Sequence, residues 1–242
     1  MNIALLGYGR MGKAIEKVAV RRGHTVVLKV EEENRDKVTD EQLKMCDVAI
    51  DFSIPTVAPG NYRWCFDNGI PVVSGTTGWL KEWDEIIRYC NDKKGGFFYA
   101  SNFSIGANIL FHMNKELARI MNRFKDYRAS VEEVHHIHKL DAPSGTAITL
   151  AEGIMSNNDA YNKWELSDNA ELGEGILPIK SVREGEVPGI HTIIYQSEID
   201  QVTIRHEAFS RDGLAMGAML AAEFLQGKSG VFGMDALMGE EK

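Results

Sequence analysis

The stretch NIALLGYGRMGKAIEKVAVRRG, residues 2–23, decides the fold. Its apolar start predicts a buried strand, and its end predicts a helix closed by Gly23. Between them, Gly7, Gly9 and Gly12 spell G-x-G-x-x-G. In this pattern the glycines allow a tight turn, close approach of a ligand to the backbone, and close helix–strand packing. The stretch therefore predicts a turn that binds a dinucleotide pyrophosphate at a helix N-terminus.

An acidic residue stands where such a fold needs one. Glu31 follows the predicted strand HTVVLKV, roughly 20 positions after the glycine turn, and is placed to accept hydrogen bonds from a ribose. The alternative is that EEEN, residues 31–34, is a solvated acidic turn. Three consecutive glutamates would repel a ribose 2′-phosphate, which favours NADH, while the nearby Arg35 and Lys37 leave NADPH open.

The rest of the first hundred residues repeats the alternation of apolar strand and helix. DVAIDFS (47–53) and IPVVSGTTG (70–78) are further predicted strands separated by helical stretches, which is typical of a parallel sheet. SGTTG ends one strand and ASNF, residues 100–103, ends the next extended run. Because carboxyl ends of parallel strands line the ligand crevice, Thr76 and Thr77 are candidates to meet a nicotinamide. The alternative is that both are ordinary turn residues.

The pattern changes after residue 105. A helical stretch over about 105–123 leads into an alternating strand, and two later strands lie close enough for antiparallel pairing. These strands are YRASVEEVHH (127–136), HTIIYQSE (191–198) and QVTIRHEA (201–208). We expect an α/β fold: a Rossmann-type doubly wound parallel sheet in a dinucleotide-binding domain (1–105 and 211–242), with an inserted α+β domain (106–210) whose mixed sheet serves substrate binding and oligomerisation.

The composition limits the classes of protein to which this chain can belong. With 242 residues, 44% hydrophobic and 26% charged, the chain is typical of soluble globular proteins. The net charge of −8 argues against nucleic acid and anionic membranes as partners. Three cysteines without metal-type spacing favour reduced thiols, and the apolar runs are shorter than a membrane span. We expect a cytoplasmic protein.

The densest run of reactive side chains is EEVHHIHKLDAPSGTA, residues 132–147. A zinc site could use His135, His136 and His138, but neighbouring residues on a strand point to opposite faces, which disfavours a shared ion. A second interpretation is a set of structural histidines. The third is a substrate site.

The residues that follow favour the substrate site. Ser144 can cap a helix, and the amides of Gly145 and Thr146 then face outward at its positive end. A carboxylate would be held there by amides and hydroxyls. The side chains of His135, His136 and Lys139 would surround that anion with proton donors.

EVHHIHKLDAPSGTA, residues 133–147, resembles the signature E-x-H-H-x-x-K-x-D-A-P-S-G-T-A of the 4-hydroxy-tetrahydrodipicolinate reductase (dihydrodipicolinate reductase) family at every fixed position. GRMG, DFS, GTTG, NFSIGAN and GVFGMDAL are also similar to the family, in order, so the resemblance covers essentially the whole chain. The glycine loop is one residue shorter than the family's common G-x-x-G-R-M-G. The residue after DFS is Ile54, where some members carry a basic side chain.

The resemblance implies reduction of 4-hydroxy-tetrahydrodipicolinate or dihydrodipicolinate, a small cyclic imine dicarboxylate, to tetrahydrodipicolinate. Hydride would come from NADH and/or NADPH, in the diaminopimelate route of lysine biosynthesis. It implies a homotetramer joined through the second domain's sheet, and no metal. It assigns proton donation to His135 and Lys139, and carboxylate binding to His136, Ser144, Gly145 and Thr146. The cofactor would contact Gly7, Tyr8, Gly9, Arg10, Met11, Gly12, Glu31, Gly75, Thr76, Thr77, Ala100, Ser101, Asn102 and Phe103.

Four other residues stand in patterns similar to the family. We expect Arg183 and His191 to have a loop role, at the two ends of the Gly/Pro loop REGEVPGIH that precedes a strand, and His206 and Arg211 to be structural. Two rival functions remain at this point. One is a dinucleotide-binding sensor without turnover, and the other is a different two-domain NAD(P)-dependent reductase or dehydrogenase of an amino-acid intermediate.

Overall fold

The computed structural model describes residues 1–169, 172–210 and 212–239. The chain divides into two compact units. The first unit contains Met1–Ile105 and Asp212–Lys242, and the second contains Gly106–Arg211. Among the described residues, no helix has the length and apolar character that crossing a membrane requires.

The first unit is built on a six-stranded sheet in which every neighbouring pair is parallel. Its order is β11-β5-β4-β3-β1-β2. The strands are β1 (Asn2–Leu6), β2 (Thr25–Val30), β3 (Val48–Asp51), β4 (Val72–Ser74), β5 (Gly96–Tyr99) and β11 (Gly230–Phe232).

Helices cover both faces of this sheet because its strands are apolar on both sides. In β1, Ile3 and Leu5 enter one core, while Ala4 and Leu6 enter the other. The helices are α1 (Arg10–Arg21), α2 (Asp40–Leu43), α3 (Ala58–Asp67), α4 (Trp83–Asp92), α7 (Asp212–Leu225) and α8 (Met234–Leu237), with 3₁₀ turns at Arg35–Lys37 and Leu80–Glu82. Helices α1 and α7 share the first core, and α3 and α4 share the second. The predicted doubly wound parallel sheet is confirmed.

The second unit is a five-stranded mixed sheet in the order β10-β9-β6-β8-β7. Strand β6 pairs antiparallel with β9 and parallel with β8, and β9 pairs antiparallel with β10. The elements are α5 (Ile105–Met121), β6 (Arg128–His135), α6 (Gly145–Met155), β7 (Tyr161–Leu166), β8 (Gly175–Arg183), β9 (Ile190–Gln196) and β10 (Gln201–Glu207). Side chains of α5 and α6 pack on one sheet face around Val131, Ile179 and Ile193.

Three strands, β7, β8 and β11, were not predicted from the sequence. Strand β8 contains Pro178, and a proline normally argues against a strand interior. Strand β7 alternates weakly because most of its side chains are exposed. Strand β11 has only three residues. Strand β11 pairs with β5 and strand β8 pairs with β6, and each of these partners is distant in sequence, so no local pattern specifies these two strands.

Candidate active site

The glycine turn of the first unit has the geometry that its spacing predicts. Gly7 has φ +91°, and a Cβ there would lie 2.4 Å from the carbonyl oxygen of Phe52. A Cβ at Gly12 would lie 2.5 Å from the carbonyl oxygen of Gly7. Gly9 is the N-cap of α1, and a Cβ at Gly9 would meet nothing within 4 Å. The backbone at the start of α1 is therefore open, and it fits a pyrophosphate approaching a helix N-terminus.

The other residues of this turn differ in exposure. Tyr8 turns its hydroxyl toward the chain itself, donating to the carboxylate of Glu16 and accepting from Lys29 Nζ at 3.0 Å. Arg10 is exposed, whereas Met11 packs against the core between α1 and α7. Among the three, Arg10 thus has the side chain most accessible to a bound nucleotide.

Glu31 is exposed at the end of β2, as a ribose-binding acid must be. Its backbone N–H donates to Asn34 Oδ1 at 2.8 Å, and Asn34 Nδ2 donates to the carbonyl oxygen of Lys29 at 2.9 Å. Asn34 therefore fixes the turn that carries Glu31. The guanidinium of Arg35 stacks on the ring of Trp64, at 4.0 Å from its centroid.

The two threonines after β4 behave differently. Thr76 is buried, and its hydroxyl donates to Asp51 Oδ1 at 2.5 Å and accepts from the backbone N–H of Ser53 at 2.9 Å. Asp51, fully buried, also accepts from Asn61 Nδ2 at 2.9 Å. Burial raises the pKa of Asp51, and these donors oppose that rise. Thr77 is exposed, so only the second threonine has a side chain available to a ligand.

The loops after β4 and β5 combine packing and exposed positions. A Cβ at Gly75 would lie 2.3 Å from the ring of Phe52, so a larger residue there would require that ring to move. Ala100 and Phe103 belong to the core, while Ser101 is exposed. Asn102 is half-buried, and its Oδ1 accepts from the backbone N–H of Ser104 at 2.9 Å. Besides the exposed Thr77, these loops offer backbone groups and the Ser101 side chain to a cofactor.

In the second unit, a fully buried carboxylate organises the histidine segment. Glu133 and His135 lie on the same face of β6, and His135 Nδ1 is hydrogen-bonded to Glu133 Oε2. The other oxygen, Oε1, accepts from Ser181 Oγ at 2.5 Å and from Arg183 Nη1 and Nη2 at 3.1 Å. Burial acts to raise the pKa of Glu133, but the hydrogen bonds from His135, Ser181 and Arg183 outweigh it and lower the pKa to about 2. Glu133 is therefore a carboxylate at neutral pH.

The same carboxylate contacts the start of α6. The backbone N–H of Ser144, the N-cap of α6, donates to Glu133 Oε1 at 3.3 Å. Ser144 Oγ accepts from the backbone N–H of Ala147 at 3.2 Å and lies 3.1 Å from His191 Nε2. Burial, followed by the charge of His135, lowers the pKa of His191 to about 4, so this ring is neutral at pH 7. The Ser144 hydroxyl is thus occupied by the cap and by His191.

Two carboxylate-binding candidates remain open at this helix start. Gly145 is exposed, and Thr146 is half-buried. They are the first two residues of α6, and amides at these positions have no acceptor within the helix. The N-terminus of α6 therefore presents free donors beside the Glu133–His135 pair.

Neither the Lys139 nor the His136 side chain is among the hydrogen-bond partners given above for the Glu133 carboxylate. Lys139 Nζ donates to both oxygens of Asp141 at 2.8 Å, and this contact lowers the pKa of Asp141. The backbone carbonyls of Lys139 and Asp141 accept from Arg183, at 3.3 and 2.6 Å. His136 is half-buried, with its ring centroid 6.1 Å from that of His138. Arg183 consequently connects the Lys139 backbone to Glu133, while His136 stands apart.

Two family models together match nearly the whole chain. The family model described as "Dihydrodipicolinate reductase, N-terminus" matches residues 1–103, and the model described as "Dihydrodipicolinate reductase, C-terminus" matches residues 106–238. The chain belongs to the dihydrodipicolinate reductase family. The family predicted from the sequence motifs is thereby confirmed.

Relatives in the dihydrodipicolinate reductase family match along nearly their full length. A 4-hydroxy-tetrahydrodipicolinate reductase of Christiangramia forsetii is 47% identical over 99% of this chain and 98% of its own. The enzyme of the same name from Akkermansia muciniphila is 35% identical over 96% of this chain and 94% of its own. Among solved structures, a dipicolinate-bound dihydrodipicolinate reductase from Paenisporosarcina sp. TG-14 has a TM-score of 0.77 at 23% identity, covering 96% of this chain and 97% of that one. That structure supports the fold.

A metal centre was one interpretation of the histidine segment. Within the described part of the chain, Glu133, His135 and His191 have ligand atoms within 4.8 Å of one another. This trio differs from the His135, His136 and His138 set that the sequence offered. However, the Arg183 guanidinium donates to Glu133, and a second cation beside it would be repelled. The hydrogen-bonded pairs favour proton and anion chemistry for this cluster.

Two residues of the second unit take part in the site, contrary to expectation. We expected a loop role for Arg183 and His191, but they lie in β8 and β9 and join the Glu133 cluster. His206 lies opposite His191 in the β9–β10 register, and a Cβ at Gly106 would lie 2.7 Å from its Nε2. Arg211 lies outside the described residues.

Glu133 was quoted in the signature but given no role. Alternation along β6 could have identified it, because a residue two positions before His135 lies on the same strand face.

Proposed function

We propose that this protein reduces 4-hydroxy-tetrahydrodipicolinate, or the dihydrodipicolinate formed from it, to tetrahydrodipicolinate, with His135 and Lys139 as the proton donors. The reductase function in the diaminopimelate route of lysine biosynthesis follows from the family to which the chain belongs. The use of a nicotinamide nucleotide, NAD(P)H, follows from the same membership. The residue roles, the preferred nucleotide and the assembly are proposals.

The observation that carries the residue roles is the bridging position of Glu133. One oxygen of its carboxylate contacts His135 Nδ1, and the other accepts from the Ser144 amide at the start of α6. An acid-capable imidazole is therefore fixed beside a helix N-terminus that favours anions. A sensor without turnover would need the dinucleotide turn, but it would not need this pairing.

The chemistry of the reaction explains why these groups stand together. Bound at the glycine turn, NAD(P)H supplies a hydride. Hydride addition to a conjugated cyclic imine moves an electron pair to the other end of the conjugated system, where a proton must be added. His135 is oriented by Glu133, and Lys139 carries an ammonium whose only hydrogen-bond partner among the described residues is Asp141. General acid catalysis of this kind typically contributes about 10²- to 10⁴-fold.

The substrate's carboxylates match the donors at the start of α6. We propose that the amides of Gly145 and Thr146, the Thr146 hydroxyl and the His136 ring bind one carboxylate. Ser144 would contribute through the geometry of the cap, because its hydroxyl already bonds the Ala147 amide and lies against His191. The solved relative from Paenisporosarcina sp. TG-14 is bound to dipicolinate, which is an aromatic dicarboxylate of related shape.

For the cofactor, we propose that the accessible groups of the first unit make the contacts. The backbone of Gly7, Gly9 and Gly12 and the exposed Arg10 would meet the pyrophosphate, and Glu31 would bind the adenosine ribose. Thr77, Ser101 and the backbone of the loops at Gly75 and Ala100–Phe103 would meet the nicotinamide half.

We further propose a preference for NADH over NADPH. Glu31 is followed by two more exposed glutamates, and Arg35 is stacked on Trp64 rather than available for a 2′-phosphate. Steady-state kinetics with the two nucleotides under identical conditions measure this preference. A higher kcat/KM with NADPH would overturn it. We also propose that the enzyme works in the cytoplasm as a homotetramer assembled through the sheet of the second unit.

The experiment for the residue roles is Lys139→Ala. We expect kcat to fall by about 10²- to 10⁴-fold, with unchanged affinity for NADH. The assay is loss of NADH absorbance with freshly generated substrate, and NADH affinity is measured separately by calorimetry.

Lys125→Ala is the matched control for that variant. Lys125 is an exposed lysine of the same unit, with its Nζ hydrogen-bonded to Asn122 Oδ1 at 2.8 Å, and its loss should leave kcat unchanged. Wild-type turnover in Lys139→Ala would contradict the assignment of Lys139. Absence of substrate-dependent NADH oxidation in the wild type would contradict the function itself.

A further inference from the structure

Glu133 is a buried charge that the reaction does not consume. Its side chain has no exposed area, and it receives hydrogen bonds from His135, Ser181, Arg183 and the Ser144 amide. A buried carboxylate is costly unless it is paired and hydrogen-bonded, and here both oxygens are occupied. Because Glu133 is buried at such a cost beside the proposed proton donor His135, this burial points to a role in the orientation of His135.

The partner's orientation follows from the contact. An ionised carboxylate only accepts hydrogen bonds, so neutral His135 must carry its proton on Nδ1 to donate to Glu133. The other ring nitrogen, Nε2, then lies against Gly189, where an added Cβ would be 3.0 Å away. The absence of a side chain at Gly189 leaves room beside Nε2. Nε2 is therefore the nitrogen that can exchange a proton with a substrate.

Arg183 connects this pair to the second proton donor. Its guanidinium donates to Glu133 Oε1 from two nitrogens at 3.1 Å. It also donates to the backbone carbonyls of Lys139 and Asp141, at 3.3 and 2.6 Å. A planar guanidinium has five donors in a fixed geometry, so one side chain can hold a carboxylate and two carbonyls together.

We propose that Glu133 and Arg183 are positioning residues of the reductase. Glu133 holds His135 with Nε2 directed away from it for proton transfer, and Arg183 ties Glu133 to the backbone that carries Lys139. The two proton donors thus share one support. This inference rests on the proposed function of His135 and Lys139 as proton donors. It adds which residues hold these two donors in position.

The charged and titratable groups around His135 come from all four neighbouring elements. Glu133 lies on its own strand and Arg183 on β8. His191, on β9, has its ring centroid 5.1 Å from that of His135, and His206 lies opposite His191 on β10. From the segment before α6, the Lys139–Asp141 pair completes the set. Because burial holds the pKa of His191 low, the carboxylate of Glu133 is the dominant partner of a charged His135 ring.

The first test is Glu133→Gln, which keeps the size of the side chain and removes its charge. We expect kcat to fall by about 10- to 100-fold, by analogy with the loss of the hydrogen-bond partner that orients a metal-binding histidine. The kcat–pH profile should also change, because Glu133→Gln removes a negative charge from beside the proton donors. The KM for NADH should not change. A merely structural role for Glu133 would lower the yield of folded enzyme without moving the pH profile.

Two further variants separate the two positioning roles. Glu133→Asp keeps the charge and should keep the wild-type pH profile, with a reduced kcat. Arg183→Lys also keeps a positive charge beside Glu133, but one ammonium cannot reach the carboxylate and both carbonyls. We expect a lowered kcat with an unmoved pH profile. Glu116→Gln is the control for charge loss, since Glu116 is exposed on α5 and paired with Arg119, and it should behave as wild type.

The wild-type protein provides a test that needs no variant and no turnover. Long-range ¹H–¹⁵N NMR of histidine-labelled protein reports which nitrogen of neutral His135 is protonated, and we expect Nδ1. An Nε2-protonated ring, an unmoved pH profile in Glu133→Gln, or wild-type kcat in Arg183→Lys would each overturn the inference. Loss of substrate-dependent NADH oxidation in the wild type would refute the proposed function alone, because the tautomer would still be measured.

Discussion

Thr76→Val tests whether the buried threonine after β4 stabilises the first unit through its hydrogen bonds rather than by contacting the nucleotide. Valine preserves the branched shape, but it cannot donate to Asp51 Oδ1, now at 2.5 Å, or accept from the Ser53 amide, now at 2.9 Å. A hydrogen bond to a charged group contributes about 1.5–3 kcal/mol to stability. The Ser53 amide also lies 3.3 Å from Asp51 Oδ1, so it retains an acceptor. We therefore expect the free energy of unfolding to fall by about 2–3 kcal/mol.

The assay is urea unfolding followed by tryptophan fluorescence. Three of the four tryptophans, Trp64, Trp79 and Trp83, lie in the first unit, so the signal reports mainly on the unit that contains Thr76. With a slope of about 2–3 kcal/mol per molar urea, the midpoint should fall by about 1 M. Thr77→Val is the matched control, because this neighbour is exposed and its loss should cost less than about 0.5 kcal/mol.

The two threonine variants should separate stability from cofactor binding. We expect Thr77→Val to raise the KM for NADH while leaving the urea midpoint in place, since Thr77 has the accessible side chain. Thr76→Val should do the reverse: its main effect should be a lower urea midpoint rather than a higher KM for NADH. If Thr76→Val unfolds at the wild-type urea concentration and instead weakens NADH binding, Thr76 contacts the nucleotide and the reasoning from burial is refuted.

The first unit was predictable because its information is local. A buried apolar run, a glycine turn and a helix within residues 2–23 predict the open helix N-terminus, and the repeated strand–helix alternation that follows predicts the parallel sheet. What local pattern did not reveal is which of two adjacent threonines faces inward. Thr76 is drawn into the core by the buried carboxylate of Asp51, a residue 25 positions away in sequence.

The second unit was less predictable because its site is assembled across strands. The signature, residues 133–147, predicted a site made of histidines, a lysine and a helix cap, because these groups lie close together in the sequence. Arg183 meets Glu133 only because β8 pairs with β6, across a sequence separation of 50 residues. The proline in β8 hid this strand, so the arginine at its end was assigned to a loop. His191 begins a predicted strand, but its contact with Ser144, 47 residues away, has no local signal in the sequence.

Two remaining predictions concern the nucleotide and pH. Glu31→Ala should raise the KM for NADH about tenfold, the loss of roughly one charge-assisted hydrogen bond, with a smaller effect on NADPH; equal effects in paired kinetics would contradict a ribose contact. For pH, folding lowers the pKa of His191 from its ordinary 6.5 to about 4. The unfolded chain then binds the extra proton between these values, so stability is fully present above pH 6.5 and is lost as the pH falls toward 4. At about 1.4 kcal/mol per pKa unit, this loss reaches about 3.5 kcal/mol. Glu133 adds a further loss as the pH falls from 4.5 toward 2, because its pKa is lowered to about 2. Urea midpoints measured from pH 7 to 4 test this, with His191→Gln expected to flatten the dependence; an unchanged slope in that variant would show that other groups control it.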